Sequence, residues 1–198
     1  MFTVLESREN LIEIKKSRFH GSIFHIESEA GFSSALKEVR KLHPKADHIV
    51  YGYILSERDK GYSDANEPKG TAGRPVLNVL EKNNLVMVAL FTVRYFGGIK
   101  LGAGGLVRAY TQTASELIAS SVRRELLEAF EVSFKLKYEA LDAFMAHQNE
   151  KGCEIIEKEF ASDVSIKAAV NEETLASLKS DARVFNLSVI RSKFLHPF

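Results

Sequence analysis

The chain has 198 residues, 45% hydrophobic and 27% charged, with a formal net charge of +1. That balance excludes a disordered or fibrous protein and allows one large domain or two small ones. A net charge so near zero confines any attraction for nucleic acid to a local patch. The longest apolar run, residues 85–93, is too short to cross a bilayer. With no leader-like pattern at the N-terminus and a single cysteine, Cys153, a cytoplasmic protein without disulfides and without membrane contact is expected.

In chain order, residues 11–14 and 18–26 read as strands, and Lys15, Lys16 and Arg18 form a small basic run at the turn between them. Residues 29–43 predict a helix. Phe32, Ala35, Leu36, Val39 and Leu42 recur at the spacing of one helical face, and Pro44 ends the pattern. Residues 48–55 form a third strand. The stretch 61–75, GYSDANEPKGTAGRP, has the Gly, Pro, Asn and Asp content of a structured loop. Pro75 suits the first turn of a short helix carrying Val76, Leu77, Val79 and Leu80, which Asn83 and Asn84 stop. Residues 86–93, VMVALFTV, are apolar on both alternating faces, as in a central strand covered on both sides. They lead through a glycine-rich stretch into a helix of about 18 residues.

Eleven of the twelve glycines lie at or before Gly105. This asymmetry predicts a loop-rich first domain over residues 1–123 and a compact second one over 124–198. In the second, residues 130–138 alternate strictly, with Phe130, Val132, Phe134, Leu136 and Tyr138 against Glu131, Ser133, Lys135 and Lys137. A helix with Leu141, Phe144 and Met145 follows, then strands at 153–160 and 164–170. A helix starting near Asn171, with Leu175 and Leu178, leads to a last strand at 184–190. The order β-α-β-β-α-β predicts a ferredoxin-like sandwich, two helices on one face of an antiparallel sheet, and the fold class is α+β in two domains.

The chemistry concentrates in RYFGGIKLGAGGLVRAY, which holds five glycines within nine residues: Gly97, Gly98, Gly102, Gly104 and Gly105. Amides at a helix N-terminus attract anions, and bare backbone lets a phosphate or another segment approach. Lys100 and Arg108 add charge, and from Lys82 to Ser115 there is no acidic residue. The spacing fits no standard nucleotide motif: a GKS or GKT ending is missing, and Val107 stands where a dinucleotide fingerprint needs glycine. The plainer reading is a tight strand-to-helix turn with Gly104 or Gly105 packed on the sheet. Arg94 precedes Tyr95 and Phe96, aromatics that either stack on bases or end the buried strand as core. In the earlier loop, Asp64 and Glu67 are weak candidates for an acid/base pair, with Lys69 and Arg74 as electrostatic partners. Alternatively, Asp64 bonds nearby backbone and Glu67 is solvated before Pro68. His43, Asp47 and His48 lack a ligand spacing, so no metal and no cofactor is expected. Cys153 reads as a buried thiol with one basic neighbour in sequence, Lys151.

Together, SDANEPKGTAGRPVLNVL and VRYFGGIKLGAGGLVRAY resemble the signature of the IMPACT/YigZ family. Gly73, Val76, Leu77, Arg94, Tyr95, Phe96, Gly97, Gly98, Leu101 and Gly102 fall where that signature puts them, and KKSRFHG near the start extends the likeness. Ala65 and Asn66 depart from it, since members often carry an acidic residue and a glycine there. The resemblance implies a first domain with a β/α fold like domain IV of elongation factor G, also seen in a ribosomal protein and in small-molecule kinases. It implies a second domain like domain V of the same factor. Eukaryotic members restrain a starvation-responsive kinase by competing for its activator. The expected function is therefore a non-enzymatic, translation-associated binding protein that contacts RNA, the ribosome or a translation factor. The surface expected to do so comprises Lys69, Arg74, Arg94, Tyr95, Phe96, Gly97, Gly98, Lys100, Gly102, Gly104, Gly105 and Arg108. A phosphate-ligand or nucleotide-binding enzyme and a pure protein-interaction module are the alternatives.

Overall fold

The computed structural model describes residues 1–147 and 152–198, and the chain divides into two units, Met1–Arg124 and Glu125–Phe198. Lys151, named above beside Cys153, lies outside the described residues. In the first unit the order is β1 (Phe2–Val4), β2 (Arg8–Ile14), β3 (Ser17–His25), α1 (Glu29–Leu42), β4 (His48–Ile54), β5 (Lys60–Ser63), α2 (Gly73–Lys82), β6 (Val88–Tyr95) and α3 (Ala103–Ser120). The short strand β7 (Arg123–Glu125) pairs with β1. The remaining strands form one sheet in the order β2-β3-β6-β4-β5, antiparallel at every pairing.

The central place of β6 explains its unbroken apolar pattern. Every residue of β6 but Tyr95 is buried. Ala89, Phe91 and Val93 form one face, packed with Ala35 and Val39 of α1. Leu90, Thr92 and Arg94 face the other way, toward α2 and α3, because side chains alternate along a strand. On that face the ring of Phe19 in β3 meets Tyr110 of α3 edge-on at 5.3 Å. Gly52 in β4, paired with Leu90, lets α2 press onto the sheet, since a Cβ there would stand 2.8 Å from the Leu77 nitrogen.

Helix ends follow local chemistry in one case and distant chemistry in another. Ser28 caps α1 by accepting from the Gly31 N–H. The second helix starts at Gly73, which puts Pro75 in its first turn as expected, and it has no cap from its own N-terminal neighbour. Its first amides instead donate to Asp64, nine residues upstream of Gly73. Residues 60–63, expected as loop or left unassigned, form the short edge strand β5.

The second unit runs β8 (Leu127–Leu136), α4 (Tyr138–His147), β9 (Cys153–Phe160), β10 (Val164–Val170), α5 (Glu172–Ser180) and β11 (Phe185–His196). Its antiparallel sheet has the order β11-β8-β10-β9. Val132, Phe134, Leu136, Val164, Ile166, Ala168 and Val170 form the sheet side of a core completed by Phe144 of α4 and by Leu175 and Leu178 of α5. Both helices thus cover one face, as the strict alternation in β8 requires. Cys153 borders this core half-buried, and burial, with Glu154 adding, pushes its thiol up to about 11. Among the described residues no helix is long and apolar enough to cross a membrane.

Candidate functional site

Strand register brings three side chains into a row at one end of the first unit's sheet: Phe19 of β3 and His48 of β4 are both cross-strand partners of Arg94 in β6. Over this row lies the loop between β5 and α2, which inserts Glu67. The Glu67 carboxylate accepts from Arg94 Nη1 at 2.6 Å and from the Tyr110 hydroxyl at 2.8 Å. The two charged side chains are 6% and 4% exposed. Glu67 is therefore neither solvated nor free to act as a base, because a desolvated carboxylate is tolerated only when its partners neutralise it. Arg94 is likewise turned inward: Nη2 donates to Ser17 Oγ, its guanidinium carbon lies 5.6 Å from the Phe19 ring centre and 5.5 Å from that of Phe96, and its Nε is buried without a partner. Burial first, and the Glu67 carboxylate second, hold the Tyr110 hydroxyl well above the ordinary tyrosine range, so it serves as a fixed donor.

Two further bonds lock the loop. A carbonyl can only accept, so His48 carries its proton on Nδ1 and donates to the Ala65 carbonyl at 2.8 Å, leaving Nε2 3.9 Å from Glu67. Asp64 accepts from the N–H groups of Gly70, Ala72 and Gly73, which fixes the loop as it enters α2. Ala65 and Asn66, with φ of 46° and 67°, occupy a turn closed by Glu67 N–H donating to the Asp64 carbonyl. Both residues read as weak acid/base candidates, Asp64 and Glu67, are thus committed to holding structure.

The glycine stretch is pinned from a different side. The β2–β3 hairpin closes on Lys15 and Lys16, both in the left-handed region with φ of 47° and 63°, between the pair Ile14 and Ser17. Gly97 lies flat on this turn: a Cβ on it would stand 2.0 Å from the Lys16 carbonyl carbon. Its N–H donates to Ser17 Oγ, the same oxygen that accepts from Arg94. Gly98 and Gly102 adopt positive φ of 83° and 72°, and α3 then begins with no side-chain cap. The plainer reading put Gly104 or Gly105 against the sheet. A Cβ on Gly104 would meet nothing within 4 Å, and one on Gly105 would meet Leu101, so the close packing belongs to Gly97.

Lys15, Lys16, Lys100 and Arg108 are exposed and make no ion pair among the described residues. Tyr95 is turned to the α1 face, where it bonds His43 at 3.0 Å and lies under Arg18, whereas Phe96 is 48% exposed. Lys69 is exposed, and Arg74 is exposed over the Tyr62 ring of β5, the sheet edge opposite the lysine turn. The basic run at this turn meets the glycine loop through the packing of Gly97 on Lys16 and the Gly97 N–H bond to Ser17. Among the described residues no three His, Cys, Asp or Glu side chains are grouped to hold a metal.

Fold and site define a two-unit α+β protein in which a buried ion pair and a shared serine hold two glycine-containing loops at one end of an antiparallel sheet. Residues 15–118 match the family model of the Impact N-terminal domain. The chain is 33% identical to an IMPACT family member of Haemophilus influenzae over 85% of this chain and 84% of that protein. It is 29% identical to the IMPACT family member YigZ of Escherichia coli over 88% and 87%. With the IMPACT family member YvyE of Bacillus subtilis the identity is 43%, over 58% of this chain and about half, 54%, of that protein. A crystal structure described as that of a hypothetical protein matches with a TM-score of 0.64 and 27% identity over 95% of both chains. The chain belongs to the IMPACT family.

Proposed function

We propose that this protein is a cytoplasmic, non-enzymatic, translation-associated binding protein that contacts RNA, free or on the ribosome, through the surface made by the lysine turn and the glycine loop. The observation that carries this reading is the packing of Gly97 on Lys16, which joins the basic residues of the β2–β3 turn to those of the acid-free stretch. Lys15, Lys16, Lys100 and Arg108 then offer phosphate contacts, and the uncapped start of α3 adds amides that face no acidic side chain of its first turn. Family membership supports a relation to translation, as do the implied likeness to domains IV and V of elongation factor G and the ferredoxin-like order of the second unit. An enzymatic reading loses its base, since Asp64 and Glu67 are held by backbone amides, Arg94 and Tyr110.

The test is sedimentation with ribosomes through a sucrose cushion across a salt series, comparing wild type with the Lys16→Ala/Lys100→Ala/Arg108→Ala variant. Salt-sensitive pelleting of the wild type, lost in the folded variant, is expected because each phosphate contact releases counterions. Pelleting that survives nuclease digestion of the RNA overturns the reading in favour of a protein partner, and failure of the wild type to pellet at low salt removes the ribosome and leaves binding to free RNA to decide the reading.

A further inference from the structure

Phe96 and Tyr62 are the strongly exposed aromatic residues described in this unit; Tyr62 lies on the edge strand β5, whereas Phe96 adjoins the lysine turn. Phe19, Phe91 and Tyr110 are fully buried, and Tyr95 is engaged by His43, His20 and Arg18. Phe96 leaves 48% of its surface to solvent and is nevertheless held. Its N–H donates to Asp47 Oδ2 at 2.9 Å, and its ring lies 5.5 Å from the guanidinium carbon of Arg94. The next residue, Gly97, is locked onto the Lys16 backbone. Arg94 is itself neutralised by Glu67, so it supports the ring as a flat, polarising base without adding charge to the surface. The result is a pre-positioned ring, one residue from the lysine turn, with Lys100 four residues beyond it. Asp47, the exposed acidic group beside it, accepts the Phe96 amide through Oδ2 and keeps its charge, so phosphates are drawn to the side of the ring that carries the turn lysines and Lys100.

An exposed, rigid π-face beside cations has a specific use in nucleic-acid binding. A base can stack on it only if the base is unstacked from its neighbours, as in single strands and loops; duplex RNA hides its base faces and is read through phosphates and 2′-hydroxyls. We propose that Phe96 is a base-stacking platform and that this surface takes single-stranded RNA in preference to duplex. The inference rests on the RNA-binding reading above and names the form of RNA that the surface accepts. The cations supply the sequence-independent attraction, and the ring supplies the discrimination between strands and helices.

The chain contains no tryptophan, so a Phe96→Trp variant carries a single indole reporter at the platform. The probe is an unstructured fluorescein-labelled oligoribonucleotide, used alone and annealed to its complement, with binding followed by anisotropy at low salt. Wild type is expected to bind the single strand more tightly. Phe96→Leu should weaken single-strand binding roughly five- to a hundred-fold, in line with the loss of one stacked base, while barely changing duplex binding. Phe96→Trp should retain affinity, and its fluorescence should be quenched when unlabelled single strand is added. If single strand and duplex bind alike, Phe96→Leu is neutral and the indole is not quenched, the platform is overturned while the basic surface stands. If wild type binds neither RNA at low salt, both the platform and the RNA-binding reading fall. Thermal melting of each variant by circular dichroism separates lost binding from lost fold.

Discussion

At the scale of single residues, the decisive contact is Arg94 with Glu67, and it turns an expected phosphate ligand into a structural ion pair. Removing one partner of such a buried pair strands the other charge, so Arg94→Met should cost about 3–5 kcal/mol of stability in urea titrations. The double variant Arg94→Met/Glu67→Leu should recover a large part of that loss, because neither charge is then left alone in the interior. The pairing was invisible in the sequence for a physical reason. Its members are 27 residues apart, and only the register of β3, β4 and β6 aims Arg94 at the loop rather than at α1. A second residue-scale prediction concerns pH. His20 lies against His43 and Tyr95. Burial, then His43 and Arg18, hold it below the usual histidine value, with Glu9 opposing. Below about pH 6.5 the unfolded chain binds a proton that folded His20 resists, so this group's contribution to stability falls as pH drops below that point and is intact above it. Urea midpoints of wild type at pH 7.5 and 5.5 should therefore differ more than those of His20→Gln.

At the scale of elements, the lysine turn is the costly feature. Two-residue hairpin loops with positive φ at both positions favour Asn-Gly, because a Cβ in the left-handed region costs about 1–2 kcal/mol. This chain uses Lys15 and Lys16 instead. A Lys15→Asn/Lys16→Gly variant should therefore be more stable, by about 1–2 kcal/mol, and should bind RNA more weakly; a variant that gains stability and keeps full affinity would remove the functional reason for the strain. Most other elements were legible because burial imposes a period. The alternation in β8, the one-faced helix α1 and the unbroken apolar run of β6 each report how many of their faces are covered. Where burial imposes no period, the signal fades: β5 has only four residues, and β1 and β7 have three each. The first turn of α2 was legible at Pro75, but its cap was not, because Asp64 comes from a turn upstream rather than from the preceding residue. Of the candidate site, the glycines, the exposed cations and the β2–β3 turn were legible, whereas the packing of Gly97 on that turn was not. Contact between Gly97 and Lys16 is set by strand pairing across 80 residues, to judge from the adjoining Gly97–Ser17 bond.

At the scale of the whole molecule, a net charge of +1 makes a sharp distinction between global and local electrostatics possible. If RNA binding came from overall charge, any three cations would be equivalent. The geometry says otherwise, since Lys16 is tied to the glycine loop that carries Lys100 and leads into α3 with Arg108, while Lys158, Lys179 and Arg191 belong to the second unit. For single strands the logarithm of the binding constant falls with the logarithm of salt at about 0.7 per phosphate contacted. Replacing Lys16, Lys100 and Arg108 with alanine should thus reduce that slope by about 2, if each meets one phosphate. Replacing Lys158, Lys179 and Arg191 instead changes the net charge by the same amount and should leave the slope unaltered, because the slope counts only the cations that meet phosphates and the proposed surface belongs to the first unit. Equal reductions in the two triple variants would mean that attraction is diffuse, and a preserved slope in the first would mean that the strand lies elsewhere on the molecule.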